Sequence, residues 1–284
     1  GELFDAKEYY FICTHVIGSA YHSSNSPSVY PATGLPYHLS FHEITVRDLV
    51  HAQPLLANNL EIQQLEILIG GSLGGQQALD WAVSHSIAIN HLIVVGTNAV
   101  HSPWGIAFNE SQRLAITTDR TFYANHPDGG AKGLKVARAM ALLSYRNYTT
   151  YANTQKEDDN EKLDHYKASS YQNYQGEKLV KCYNAYSYYF LTKAMDSHNL
   201  GRGRRSIESA LASIDCPTLV LSVNTDLLFP PQEQQFIAQH VPNAHYQEIE
   251  STYGHDGFLI ETKKLTKIIS SFLREQKEYI NELV

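Results

Sequence analysis

Cysteine is scarce in this 284-residue sequence, and the three that occur do not form a metal-binding or redox pattern. Cys13, Cys182 and Cys216 are odd in number and lie far apart, with neither metal-ligand nor CxxC spacing. We therefore expect no metal site, and this cysteine usage fits a reducing, cytoplasmic compartment.

Long apolar runs and an excess of positive charge are also missing. No apolar run approaches the roughly 20 residues that cross a bilayer, and the first residues do not resemble a signal peptide. The formal net charge is −7 and the one dense basic run holds Arg202, Arg204 and Arg205, so a nucleic-acid footprint is absent. We expect a soluble, packed globular protein without a membrane or nucleic-acid partner.

Short apolar runs and helical patterns alternate in the first hundred residues and again near the end of the chain. Buried strands are predicted over residues 9–16, 65–71, 91–97, 217–223 and 245–250. Helical patterns separate these runs. Such alternation is typical of a mostly parallel sheet with helices on both faces, so we predict the α/β class.

The middle third of the sequence has helical periodicity and no strand pattern. Ser102 followed by Pro103 is a good N-cap and first-turn pair, and helical patterns also cover residues 133–146 and 177–198. We therefore predict a helical lid inserted into an α/β core. The expected domains are the first part of the core at 1–100, the lid at 101–206 and the second part of the core at 207–284.

A serine stands between glycines where a strand pattern gives way to a helical one. The run Gly70-Gly71-Ser72-Leu73-Gly74 satisfies G-x-S-x-G in the context that this motif requires. So tight a turn strains the serine backbone, and small residues two positions away avoid clashes. It lifts the Ser72 hydroxyl above the sheet edge and points the Leu73 amide at the same space as an oxyanion donor. A phosphate-binding loop or a plain turn is the alternative.

A serine nucleophile needs a histidine base and an acid that orients the histidine. In hydrolase-type sheets these residues follow in the order Ser, Asp, His, each on a loop after a strand. Asp226 and His255 each follow a predicted strand, so we predict Ser72, Asp226 and His255 as the catalytic residues. Asp80 and Asp256 are weaker candidates for the acid, because one lies two helical turns past Ser72 and the other adjoins His255.

Several longer segments form a pattern that extends well beyond the serine motif. They include ITVRDLVHAQ, GGSLGGQQALDWA, SPWGIAFNESQR, GLKVARAMALLSYR, DLLFPP and YGHDGFLIE. Together they resemble the homoserine O-acetyltransferase family, a branch of the α/β-hydrolase fold that transfers an acetyl group from acetyl-CoA to L-homoserine in methionine biosynthesis. The resemblance implies these two substrates, no permanently bound cofactor and a homodimer formed through the lid.

By position, the resemblance makes Ser72 the acyl-accepting nucleophile and Asp226 and His255 its partners. It also implies that Arg138 binds the homoserine carboxylate and that Asp256 binds the amino group. The residue types suit these roles, because a guanidinium matches a carboxylate in two-pronged geometry and a carboxylate attracts an ammonium group. Without the resemblance, a solvated helix charge and a helix N-cap are the alternatives.

Two features depart from the family pattern. Leu73 replaces a methionine, a change that conserves volume and keeps the backbone amide. The family also has several strands ahead of the segment that matches Phe4, and one of their loops provides a second oxyanion donor. We therefore expect the amino-terminal strands of the fold to be missing from this chain.

Three alternatives to acetyl transfer onto homoserine stay open at this stage. The first is a transferase with another acceptor or donor, such as serine, a deacetylated cephalosporin or succinyl-CoA. The second is a serine esterase that uses the same triad. The third is a truncated, inactive scaffold.

Overall fold

The computed structural model of this chain describes residues 3–283, with side chains through residue 278. The chain divides into two compact units, each with its own hydrophobic core. The first, here called the sheet unit, comprises Gly1–Thr14, Val50–Val100 and Asn199–Val284. The second, the helical unit, comprises His15–Leu49 and His101–His198.

The sheet unit is built on parallel strands. Their bounds are β1 Gln64–Gly71, β2 Ala88–Val95, β3 Thr218–Val223 and β4 Ala244–Ile249. They lie in the order β1-β2-β3-β4, and each neighbouring pair is parallel. The predicted α/β class and the four later predicted strands are therefore confirmed.

Helices precede, separate and follow these strands. In chain order they are α1 Val46–Asn59, α2 Leu73–Ser84, α3 Pro103–Thr118, α4 Ala131–Tyr145, α5 Tyr148–Thr154, α6 Lys167–Val180, α7 Ala185–Asp196, α8 Ile207–Leu211, α9 Pro231–His240, α10 Gly257–Ile260 and α11 Thr262–Leu283. The predicted N-cap of α3 is confirmed, because the Ser102 hydroxyl accepts a hydrogen bond from Gly105 N at 3.2 Å.

Side chains of the central strands alternate between two cores. Leu92 and Val94 of β2 face one core, which α2, α8 and α9 complete. Ile93 and Val95 face the other core, which includes Phe272 of α11. Since successive strand residues point to opposite faces, both faces of the sheet are covered by helices, as predicted.

The core of the helical unit is centred on two stacked aromatic rings. The ring of Phe122 lies 5.1 Å from that of Tyr186, and the Tyr186 hydroxyl donates to the Phe122 carbonyl at 3.0 Å. Ile116, Leu134 and Ala137 pack around them. The hydrogen bond allows the tyrosine to be fully buried without leaving its hydroxyl unsatisfied.

A buried polar cluster joins α3 to the end of α7. Arg113 donates to the Asp196 carboxylate at 2.6 Å, and Asn109 donates to the same carboxylate at 2.7 Å. His101 Nε2 lies 3.8 Å from it, and burial lowers the pKa of His101. Pairing with a cation and an amide is what keeps a largely buried carboxylate tolerable in a helical core.

Residues 9–16, predicted as a buried strand, form no strand in the structure, and this prediction is wrong. Their apolar side chains are largely exposed, with Tyr10 at 78% and Phe11 at 55%. A run of β-forming residues becomes a strand only where a neighbouring strand completes its hydrogen bonds. The apolar pattern alone does not supply that neighbour.

The helical insertion also differs from its predicted outline. The single helix predicted over 177–198 is two helices, because Asn184 caps α7 by accepting from Ser187 N at 2.8 Å. Residues 15–49 group with the helical unit, although they were expected in the core, and residues 199–206 group with the sheet unit. Loop residues without periodicity give no sign of the unit on which they pack.

Candidate active site

The serine of the G-x-S-x-G motif occupies the turn between β1 and α2 in a strained backbone conformation. Ser72 has φ +54° and ψ −125°, a region that residues with a Cβ rarely adopt. A Cβ at Gly70 would lie 2.2 Å from the Gly74 carbonyl oxygen. Only glycine fits there, which explains why the motif requires a small residue two positions before the serine.

Hydrogen bonds to the end of β2 hold the serine turn in place. Ser72 N donates to the Val95 carbonyl at 3.0 Å, and the Thr97 hydroxyl donates to the Ser72 carbonyl at 2.8 Å. The Leu73 amide is the first of α2 and donates to no residue that the structure describes. It is therefore available, at a helix N-terminus, for an oxyanion.

Asp226 and His255 form a buried pair. His255 Nδ1 lies 2.6 Å from Asp226 Oδ2, and both side chains are almost completely shielded from solvent. The other carboxylate oxygen, Oδ1, accepts from the amides of Leu228 and Phe229, both at 2.8 Å. These bonds assign the ring proton to Nδ1, which leaves Nε2 as the acceptor that a general base requires.

The loops that carry this pair are tied to each other. They follow β3 and β4, whose carboxyl ends are neighbours. The Thr225 hydroxyl donates to the Ser251 carbonyl at 2.7 Å and accepts from Gly254 N at 3.1 Å, while Ser251 N donates to Asn224 Oδ1 at 2.9 Å. These hydrogen bonds between the two loops hold Asp226 and His255 at a fixed distance from each other.

Gly96, which the sequence analysis did not single out, brings the end of β2 against the pair. It has φ +53°, and a Cβ there would lie 3.4 Å from His255 Cε1 and 3.5 Å from Asp226 Oδ2. Since Ser72 N bonds to Val95, the neighbour of Gly96, the serine turn and the pair converge at the end of one strand. A glycine within the strand predicted over 91–97 was the available signal, because such a glycine often marks a close approach to the backbone.

Two phenylalanines flank the histidine ring. The rings of Phe229 and Phe258 each lie 5.2 Å from the imidazole of His255. Phe258 also lies against Gly71, where a Cβ would come within 2.8 Å of its ring. These rings surround a pair that is shielded from solvent, and a hydrogen bond is stronger in such low-dielectric surroundings.

Asp256, a proposed substrate ligand, follows the buried histidine and is half-buried. It is the N-cap residue of α10, but its side chain makes no capping hydrogen bond. The capping alternative raised by the sequence therefore does not account for this carboxylate. Its position places a negative charge next to His255 in the sheet unit.

Arg138, the other proposed substrate ligand, lies on α4 in the helical unit. Its guanidinium is 5.6 Å from the centre of the Tyr145 ring. Among the side chains that the structure describes, no carboxylate pairs with it. The positive charge of Arg138 also acts on the hydroxyl of Tyr188. Burial raises the pKa of Tyr188 well above its usual range, and Arg138 partly offsets that rise.

Asp80, the alternative candidate for the acid that orients His255, pairs with an arginine instead. It accepts from Arg204 Nη2 at 2.9 Å, and Arg204 Nη1 donates to the Leu200 carbonyl at 2.8 Å. The pair holds α2 against the chain that precedes α8. Asp80 and Arg204 thus have a structural partnership, whereas Asp226 is the acid that contacts His255.

The described part of the chain holds neither a cluster of metal ligands nor a membrane-spanning helix. Within residues 3–278, no three or more His, Cys, Asp or Glu side chains are grouped so that they could hold a metal ion. No helix in the described part of the chain combines the length and hydropathy needed to cross a membrane.

Comparison with known proteins gives consistent matches. A family model for the alpha/beta hydrolase fold matches residues 2–262. The homoserine O-acetyltransferase of Cyclobacterium marinum is 46% identical over 274 residues, which cover 96% of this chain and 78% of that protein. Among solved structures, homoserine O-acetyltransferase from Bacillus anthracis superposes with a TM-score of 0.82 at 23% identity, covering 88% of this chain and 71% of that one. Esterase E22 gives 0.81 at 23% identity, covering 91% and 76%, so these two structures support the fold.

Proposed function

Because this chain belongs to the homoserine O-acetyltransferase family, a branch of the α/β-hydrolase fold, we propose that it moves an acetyl group from acetyl-CoA to the side-chain hydroxyl of L-homoserine. The reaction is a step of methionine biosynthesis. One observation carries the proposal. The buried His255–Asp226 pair lies at the end of β2, and the strained Ser72 turn is hydrogen-bonded to the same end of that strand.

The first half of the proposed reaction acylates the serine. His255 Nε2 takes the Ser72 hydroxyl proton while Oγ attacks the thioester carbonyl, and the Leu73 amide stabilises the oxyanion. The intermediate then collapses, the carbon–sulfur bond breaks and His255 returns the proton to the departing CoA thiolate. Asp226 stabilises the imidazolium between these two proton transfers. The product of this half is an acetyl ester on Ser72.

The second half transfers the acetyl group to the acceptor. His255 takes the proton of the homoserine hydroxyl, whose oxygen attacks the acetyl-serine carbonyl. The Ser72 ester bond breaks, the same proton returns to Ser72 Oγ and O-acetylhomoserine leaves. One base therefore serves both halves of the proposed double-displacement reaction.

Arg138 and Asp256 are proposed to bind the two charged ends of the acceptor. Arg138 would hold the carboxylate, and its lack of a carboxylate partner among the described side chains supports this role. Asp256 would hold the ammonium group next to His255, which places the acceptor hydroxyl near the base. A guanidinium and a carboxylate together select an amino acid over a neutral alcohol.

The proposed activity is tested by measuring CoA release from acetyl-CoA with and without L-homoserine. We expect steady release only with homoserine, and O-acetylhomoserine as the product by mass spectrometry. Equal release without homoserine would identify an esterase-type hydrolase instead. Preference for succinyl-CoA or L-serine would identify a different transferase, and no release by the folded protein would support the scaffold alternative.

Replacement of Arg138 by lysine tests whether this residue binds the homoserine carboxylate. Arg138→Lys keeps the positive charge but loses the two-pronged geometry, so we expect the KM for homoserine to rise about 10-fold. The rate at which acetyl-CoA acylates the enzyme should stay unchanged. Arg120→Lys, at an exposed arginine of the same unit, is the control. An unchanged KM for homoserine in Arg138→Lys would remove Arg138 from the acceptor site.

A homodimer formed through the helical unit is also proposed. Val136, Met140 and Leu143 lie at helical spacing on α4, and Leu143 is 57% exposed. Light scattering should give twice the 31.9 kDa of one chain, and Leu143→Glu should give the single-chain mass. Leu163→Glu, at a residue that is 90% exposed outside this helix, should stay dimeric. A single-chain mass for the unaltered protein would contradict the proposal.

A cytoplasmic location is proposed as well. Cys13, Cys182 and Cys216 are all free thiols in the structure. Unpaired cysteines are typical of proteins that work in a reducing compartment. The proposed substrates, acetyl-CoA and an amino acid, suit the same location.

A further inference from the structure

A bridge of three polar side chains links the serine helix to the helix that follows the acid. Gln76 Nε2 donates to Asn98 Oδ1 at 2.9 Å, and Asn98 Nδ2 donates to Glu233 Oε2 at 2.9 Å. Gln76 and Asn98 are buried, and Glu233 is partly buried. The amino group of Gln76 and both polar atoms of Asn98 have hydrogen-bond partners here, which offsets part of the cost of burying the two amides.

The central amide has one orientation that satisfies both neighbours. An ionised Glu233 can only accept hydrogen bonds, so the amino group of Asn98 must face it. The carbonyl oxygen of Asn98 then faces the amino group of Gln76. Both donors of the Gln76–Asn98–Glu233 bridge therefore point toward Glu233. Exchanging a donor for an acceptor at either end would break a hydrogen bond.

The two ends of the bridge adjoin different parts of the candidate active site. Gln76 lies in the first turn of α2, where its backbone N donates to the Ser72 carbonyl at 3.1 Å. Glu233 lies in the first turn of α9, which begins at Pro231, directly after the loop that carries Asp226. A parallel tie runs from Gln234 to the carbonyl of Thr97, the residue that holds Ser72.

We propose that Asn98 is a positioning residue, whose amide sets the serine turn relative to the Asp226–His255 pair through Gln76 and Glu233. The inference rests on the proposed function only for its acetyl-CoA readout. Asn98 bonds to Gln76 beside the serine turn and to Glu233 beside the loop of the acid, so its proposed effect is on alignment. Misplacing a nucleophile by about 1 Å from its base is sufficient to slow acylation by about 100-fold.

Asn98→Asp tests the bridge with a nearly isosteric change. The new carboxylate faces Glu233, so two negative charges replace a hydrogen bond of 2.9 Å. We expect acylation of Ser72 to slow about 10- to 100-fold, while the KM for homoserine changes by less than about 3-fold. Adding Glu233→Gln supplies an amino group that can donate to that carboxylate, so the double variant should regain most of the lost rate.

The chain contains a matched control for this substitution. At the amino-terminal end of the sheet, Asn90 accepts from Gln64 and donates to Glu66 at 2.7 Å, so the same three residue types are linked on an exposed surface. Asn90→Asp places the same charge repulsion far along the strands from Ser72. It should leave the acylation rate unchanged.

Two readouts separate this inference from the proposed function. A fluorophosphonate probe reports the reactivity of Ser72 without any acyl donor, and rapid-quench measurement of CoA release reports acylation by acetyl-CoA. If the unaltered protein reacts with the probe but not with acetyl-CoA, the proposed donor is wrong and the bridge is still tested by the probe. If Asn98→Asp reacts at the unaltered rate, the positioning role is wrong.

Separate measurements establish whether the Asn98→Asp variant is folded. Circular dichroism and thermal unfolding show whether Asn98→Asp is folded at the assay temperature. If it is not, Gln76→Met removes the donor at the other end with little change in volume, and the same slowing is expected. A rate loss that Glu233→Gln does not restore in the folded double variant would also overturn the proposal, since general destabilisation would not depend on the partner's charge.

Discussion

Ser72→Ala is expected to abolish acetyl transfer, lowering kcat by about 10⁴-fold or more. The substitution removes the atom that carries the acetyl group and leaves His255 and Asp226 in place. Because Ser72 is partly exposed in a turn that its backbone maintains, truncating the hydroxyl should not unfold the protein. The measurement is peptide mass spectrometry after acetyl-CoA treatment, together with CoA release.

Ser84→Ala is the matched control for this experiment. Ser84 ends the same helix, α2, and its hydroxyl makes local contacts, with the Trp81 carbonyl at 2.7 Å and the Ser86 hydroxyl at 2.9 Å. This variant should show the acetyl adduct on the Ser72 peptide at the unaltered rate. An equal adduct in Ser72→Ala would place the acyl group elsewhere and end the acyl-serine mechanism.

The sequence was sufficient to predict the serine turn because its requirements are local. A strand, glycines two positions away and a following helix all lie within a dozen residues of Ser72. Asp226 and His255 were predictable for a related reason, since each follows a strand at the same edge of a parallel sheet. The structure places the two side chains in contact.

The contacts that support the site could not be predicted from the sequence, because they join residues that are far apart along the chain. Asn98 meets Glu233 across more than a hundred residues. Nothing in the composition of either segment distinguishes a bridging amide from a solvated one. The prediction for residues 9–16 failed for the opposite reason, since their local pattern was strong but they pair with no strand of the described sheet.

Asp226→Asn is expected to lower kcat by about 10⁴-fold while the protein stays folded. The amide oxygen can still accept from the Leu228 and Phe229 amides, which fixes the amino group toward His255. That group donates to Nδ1, so the ring proton must move to Nε2. The nitrogen that should take the serine proton then already carries one.

The competing acid provides the control that makes this result decisive. Asp80→Asn weakens a buried ion pair with Arg204 at 2.9 Å, so it should lower the midpoint of thermal unfolding while kcat of the folded enzyme is retained. Asp226→Asn should show the reverse, with a large loss of kcat and unchanged KM values for both substrates. Unaltered turnover in Asp226→Asn would mean that His255 does not depend on this carboxylate for its tautomer, and the proton-transfer scheme would fail with it.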